Sequence, residues 1–353
     1  MRMRKLILSW ALLLAVSTIM TAQSTTQARL DSLFDAMAAG GKTMGSICIS
    51  QGGQVLYTRA IGYSQIDGTT KTPATDKSKY RIASITKMFT AAMIFQLIDE
   101  SELELTTTLD NYFPKMPNAK DITIGQMLSH RSGIHNILDD PNWSSWKVNP
   151  KTRDEMVAMI SKYPPDFTPG SKASYSNSNY ILLGYIIEDI CDKPYKKVVH
   201  DRIISKCGMK NTYYGDKTDP DKGECYSYAY ENTWVRQPEA DMSILGGAGG
   251  LVSTPTDLNK FIQTLYAGKL IRQNYLDEMQ NITDGYGMGM ESFVVGNHTS
   301  YGHNGAIDGF SSLLEYFPDD DIAISYLSNG EADTVNDIVN AALAIVFDNP
   351  VNN

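Results

Sequence analysis

Strand-like runs lie at the two ends of this 353-residue chain and helix-like runs fill its middle, a distribution that few folds satisfy. Met44 to Gln51 and Val55 to Tyr63 are short β-prone runs around Gly52-Gly53, a hairpin signal. Ser312 to Phe317 and Ile322 to Ser328 flank the turn cluster Pro318-Asp319-Asp320-Asp321. The simplest solution is an α+β fold that joins the two ends in one antiparallel sheet, with helices packed on it. The middle then forms a mainly helical lobe, and a binding cleft is expected where the two lobes meet.

The helices follow from periodicity. Gln27 to Ala38 places Leu30, Leu33, Phe34 and Met37 on one face, and Thr334 to Phe347 does the same with Val335, Ile338, Ala342 and Ile345. Ala83 to Leu97 is different: its surface is mostly apolar and it holds no Gly or Pro, so it predicts a buried helix. Tyr180 to Ile190 and Asp257 to Tyr266 read as further helices, the latter entered through Thr254-Pro255-Thr256. Residues 101–280 are mainly helix and loop, with Pro-rich loops at 141–150 and 164–170. The lobes divide at about 23–80 plus 285–349 for the sheet and 81–284 for the helices, within one domain spanning 23–349.

Residues 1–22 have another purpose. Arg2, Arg4 and Lys5 precede an apolar run from Leu6 to Met20, followed by Thr21-Ala22-Gln23. This is the layout of a cleaved secretory signal peptide, and the run is short for a membrane span of about 20 residues. An uncleaved anchor is the competing reading. Cleavage removes three positive charges and no negative ones, taking the formal charge from −9 to −12. The expected place is periplasmic or secreted, with no stable membrane insertion once the signal is gone. A charge of −9 without a basic run argues against a nucleic-acid partner, because phosphate binding needs clustered Lys and Arg. The expected partner is a small-molecule or peptide substrate, and nothing in the chain fixes an oligomeric state. Cys48, Cys191, Cys207 and Cys225 are expected to be buried thiols, or to include one bridge near Cys207 and Cys225.

Three short segments carry chemistry. Ser84 and Lys87 are three apart at the start of the buried helix and so share a face. Serine needs an adjacent base to act as a nucleophile, and burial can make a lysine that base by disfavouring its ammonium form. Taken alone, the pair reads more readily as a capping serine and a snorkelling lysine. Ser144 and Lys147 repeat the spacing in a Pro/Trp loop with no helix following. Tyr175-Ser176-Asn177 precedes another helix. Its tyrosine can move a proton and its asparagine can hold a substrate amide, although Tyr230-Glu231-Asn232 also matches. His303-Asn304-Gly305 occurs once, just before Ala306 and the final strand pair. His303 and Gly305 share a strand face, and the Ala306 N–H is placed to meet an oxyanion. There is no Gly-x-Ser-x-Gly, His-Glu-x-x-His, paired-His zinc motif or phosphate-binding glycine loop, so neither a cofactor nor a metal is expected. His130 and His135 are read as structural.

In order, the three triplets resemble the signature of the penicillin-recognising serine hydrolases, which include class C β-lactamases, D-alanyl-D-alanine carboxypeptidases, D-aminopeptidases, esterases and transesterases. Leu128 to Ile134, Phe167-Thr168-Pro169-Gly170, Gly247 to Thr254 and Tyr286-Gly287-Met288-Gly289-Met290 are similar to the family's flanking segments. The resemblance runs from about Gly45 to Asn329 and implies a β-lactamase/transpeptidase-like fold. It implies that Ser84 is the acylated nucleophile, with Lys87 and Tyr175 shuttling its proton. Asn177, His303 and Gly305 would contact substrate, and the N–H groups of Ser84 and Ala306 would form the oxyanion hole.

His303 departs from the lysine that the lactamases carry there. A histidine offers a weaker, pH-dependent contact to a substrate carboxylate. That tilts the expectation from a class C-like β-lactamase towards an exported serine hydrolase of the D-peptidase, carboxypeptidase or esterase type. Acyl transfer to an alcohol or amine, and a non-catalytic penicillin or wall-fragment binder, are the alternatives. Tyr286, Met288 and Met290 are read either as an apolar cleft wall or as core. All of this requires three distant segments to converge in one crevice.

Overall fold

The computed structural model describes residues 25–331 and 334–348, so the proposed signal segment lies outside the described residues. The two ends do meet in one antiparallel sheet. Strands β1 (Thr43–Gln51) and β2 (Gln54–Ile61) come from the first end, and β3 (Glu291–Val295), β4 (His298–Ile307), β5 (Phe310–Phe317) and β6 (Ile322–Glu331) from the other. Their order is β3-β4-β5-β6-β1-β2. The final strand therefore zips onto the first, with Ser46 opposite Leu327 and Ile49 opposite Ile324. The β1–β2 turn holds Gly52 at φ +57° and Gly53 at φ +77°, the left-handed pair that a two-residue hairpin loop demands and that glycine adopts freely.

Helix α1 (residues 25–40) and helix α5 (Val335–Asp348) cover one face of the sheet. Leu30, Phe34, Val339 and Leu343 pack on Ile47, Ile49, Leu313 and Phe317. Each such side chain, fully buried, contributes about 1.5–3 kcal/mol. Helix α2 (Thr86–Asp99) is buried on every side from Thr86 to Leu97, which is why its sequence shows no polar stripe. Helix α3 (Asn177–Cys191) and the segment Met242–Gly249 pack around it. Gly247 makes that approach possible: a Cβ there would fall 2.7 Å from the Tyr180 carbonyl oxygen. Helix α4 (Pro255–Tyr266), although central in the sequence, lies on the sheet. Its Asn259 amide donates to the Cys48 and Ala323 carbonyls at 3.1 and 3.2 Å.

The structure adds detail in the middle of the chain and corrects one expectation there. The mainly helical part also holds very short strands, among them Tyr80–Arg81, Tyr213–Tyr214 and Leu251–Ser253, too short to leave a period in the sequence. Trp143–Trp146 is a single helical turn, not loop. Of the two readings of the cysteines the free thiols hold: all four are unbridged, three of them buried and Cys191 partly so. No helix among the described residues is long and apolar enough to cross a membrane.

The β4–β5 turn is pinned by buried charge. The Asp308 carboxylate, wholly shielded from solvent, accepts from Lys147 Nζ at 2.7 Å, from Arg81 at 3.4 Å and from Ala240 N at 3.0 Å. Lys147, the basic member of the second Ser-x-x-Lys match, therefore serves as a clamp. Asp308→Ala leaves two cations partly or wholly buried without it and is expected to cost about 3–5 kcal/mol. A denaturant midpoint that falls at unchanged slope would register the loss. A change below about 0.5 kcal/mol, typical of a surface site, would contradict it.

Candidate active site

Ser84 sits at the joint between a short helical turn (Ala83–Ile85) and α2, immediately after Ala83, whose φ of +45° is unusual for a residue with a side chain. That joint presents the Ser84 hydroxyl to the cleft. One turn on, Lys87 is fully buried. Its Nζ lies 2.9 Å from Ser84 Oγ, 2.8 Å from Asn177 Oδ1 and 2.8 Å from the Ala248 carbonyl oxygen. Burial pushes the lysine well below its ordinary range. A neutral amine here gives its two N–H bonds to Asn177 and Ala248, and its lone pair is left facing the Ser84 hydroxyl.

Tyr175 closes the triangle, donating from its phenol to Ser84 Oγ at 2.7 Å. Burial raises its pKa, so the phenol stays protonated. The site thus holds a serine between a proton acceptor and a proton donor. Tyr175→Phe removes the donor and keeps Lys87 in place. It is expected to slow turnover by about 10²–10⁴-fold in steady-state assays, and near-wild-type kcat would remove the phenol from the reaction.

His303 and Gly305 lie on β4. A Cβ at Gly305 would fall 2.6 Å from the Ile82 carbonyl oxygen and 2.9 Å from Ser84 N, so only glycine lets this strand pass the nucleophile so closely. The exposed Ala306 follows Gly305 on the strand. Strand β3 pairs with β4 only as far as Gly302, and from His303 to Ile307 the ladder continues on the β5 side. His303 is buried, and its Nδ1 meets the Asn304 carbonyl at 2.5 Å, which requires Nδ1 to be the donor and leaves Nε2 as an acceptor. Burial pushes it down to about 3. That direction is the one of an uncharged imidazole, the form in which His303 was expected to act. Asn177 is tied to both sides of the site, since its Oδ1 holds Lys87 and its Nδ2 donates to Asn136 Oδ1 at 3.2 Å.

His130, expected to be merely structural, borders the site. It is buried against Tyr175, ring centroids 4.5 Å apart, and its Nδ1 accepts from Ser176 N at 3.1 Å. It therefore fixes the phenol, and burial holds it neutral. Its segment, Leu128 to Ile134, was visible only as a flank of the family signature. Tyr286 stacks near both rings, whereas Met290 is core and Met288 is partly buried against it.

A profile described as Beta-lactamase matches residues 30–347. The chain belongs to that family. It is a serine hydrolase of the β-lactamase fold, a family in which penicillin-binding proteins and amidases are its relatives. It is 28% identical to Penicillin-binding protein 4* of Bacillus subtilis (strain 168), over 91% of this chain and 76% of that protein. It is 26% identical to a teichoic acid D-alanine hydrolase of Staphylococcus aureus, over 64% of this chain and 55% of that one. Among solved structures it is similar to D-amino acid amidase from Ochrobactrum anthropi SV3, with a TM-score of 0.80 and 26% identity over 93% of this chain and 99% of that chain.

Proposed function

We propose that this family member cleaves an amide or ester through an acyl-enzyme at Ser84, with acyl groups of D-amino acids as the substrate class. The observation that carries the reading is the position of Ser84 Oγ within hydrogen-bond reach of both a buried lysine amine and a protonated phenol. Ser84 Oγ attacks the carbonyl carbon and its proton passes to Lys87 Nζ. The carbonyl oxygen gains negative charge and is met by the N–H groups of Ser84 and Ala306, each worth roughly 3 kcal/mol to such an oxyanion. The tetrahedral centre collapses, the bond to the leaving nitrogen or oxygen breaks, and that atom takes a proton from Tyr175, which Lys87 reprotonates. Water then attacks the ester by the reverse route and releases a carboxylic acid and free Ser84.

The unpaired edge of β4 supports an extended substrate lying along it, since backbone there is free to bond a peptide-like chain. The similarity to a D-amino acid amidase and a teichoic acid D-alanine hydrolase supports the D-aminoacyl class. Residues 1–22 support export. Incubation with D-peptides, short-chain esters and β-lactams, followed by intact-mass spectrometry, tests the reading. A covalent adduct is expected in wild type and not in Ser84→Ala. An unmodified wild type across all donors would end it. Products that depend on an added alcohol or amine would redirect it to acyl transfer.

A further inference from the structure

The base of the catalytic triangle is held in its orientation by a residue outside the three motifs. Asn136 lies just after the Leu128 to Ile134 segment and is buried. Its loop is stitched to the first turn of α3. Ser132 Oγ donates to Asn179 Oδ1 at 2.6 Å, and Ser178 Oγ donates to the His135 carbonyl at 2.6 Å while accepting from Ile137 N at 3.0 Å. Asn136 completes the seam: its Oδ1 accepts from Asn177 N at 3.0 Å and from Asn177 Nδ2 at 3.2 Å. Ser176, the residue before the helix, makes no side-chain cap, so Asn136 caps α3 from another segment of the chain.

A side-chain amide can sit either way round, but a backbone N–H can only donate. The Asn177 N–H therefore fixes the Asn136 atom that faces it as the oxygen. That oxygen admits only the nitrogen of the Asn177 amide, which turns Asn177 Oδ1 towards Lys87 Nζ, 2.8 Å away. Asn177 Oδ1 and the Ala248 carbonyl each take one N–H of the neutral amine, and the lone pair is left for Ser84 Oγ at 2.9 Å. Turned round, the Asn177 amide would offer its own N–H to Lys87. The lone pair would then be drawn from the serine to the amide, and two oxygens would oppose each other at Asn136.

We propose that Asn136 is a positioning residue for acylation: its oxygen sets the orientation of the Asn177 amide and, through it, the direction in which Lys87 takes the Ser84 proton. The proposal rests on the acyl-enzyme reading above. Asn136→Leu keeps the approximate size of the side chain and removes the oxygen. With D-alanine p-nitroanilide, kcat should fall by about a hundredfold while KM changes by less than about threefold. Asn136→Asp restores an acceptor in the same place and should return kcat to within about tenfold of wild type at the plateau of its pH profile. The added negative charge favours the Lys87 ammonium, so that plateau should begin at higher pH than in wild type.

A cap that acted on stability alone would lower the denaturant midpoint and leave kcat of the folded protein unchanged. Asn136→Leu with kcat within about twofold of wild type, or Asn136→Asp as slow as Asn136→Leu, would therefore overturn the proposal. Should Asn136→Leu not fold, neutron diffraction from wild-type crystals decides. The deuterons of the Asn177 side chain are expected on the Asn136 side, and deuterons facing Lys87 would overturn it. A Ser84 adduct that forms equally fast in wild type and both variants would end this inference alone. A wild type that no donor acylates would end the acyl-enzyme reading, and this inference with it.

Discussion

Ser84→Ala is expected to lower kcat by at least about 10⁴-fold and to abolish any covalent adduct, because no other hydroxyl is placed between Lys87 and Tyr175. The oxyanion donors and the substrate groove survive the change, so a small rate above background should remain. Folding should be unaffected, since the lost oxygen is partly exposed and its partners keep other contacts: Lys87 still reaches Asn177 and Ala248. Turnover within about tenfold of wild type would mean that the acylated atom is elsewhere.

Lys87→Met should be nearly as damaging, with a loss of about 10²–10⁴-fold, and the Ser84→Ala/Lys87→Met double variant should be little worse than Ser84→Ala because the two act as one unit. The pH dependence follows from the direction of the lysine shift. The base is the neutral amine. It is available above the pKa of Lys87 in the folded protein and is lost as pH falls through that value. Burial has moved that value well below its ordinary range, so activity should already be developed near neutrality. A wild-type kcat/KM that climbs only as pH nears about 10.4 would show that the lysine is not depressed. His303 contributes no limb above about 3.

Much of this was legible in the residues. The strand signals at the two ends predict the sheet because short β runs must pair, and the final helix declared itself by one apolar face. The proximity of Ser84 and Lys87 was readable because they sit where a helix begins and spacing in sequence translates into a shared face. What was hidden depended on contacts between distant segments. His130 stacks on Tyr175 from 45 positions away, and nothing about a histidine in a Gly-containing loop announces that. The protonation of His303 depends on the depth of its burial, which residue type does not encode. The very short strands at Tyr80–Arg81, Tyr213–Tyr214 and Leu251–Ser253 are imposed by packing and carry no periodicity of their own.

The closure of the sheet by its last strand has a consequence for biosynthesis. While the polypeptide is still being made, β1 and β2 wait as an isolated hairpin, which is marginal in water, and the strand that forms one wall of the catalytic crevice has not yet left the ribosome. Ser84 emerges some two hundred residues earlier than Ala306, so its hydroxyl exists long before the backbone N–H proposed to meet the oxyanion. A nascent or truncated copy is therefore inert, and competence for the reaction arrives in one step, when the tail of the chain is released and reaches back to its beginning.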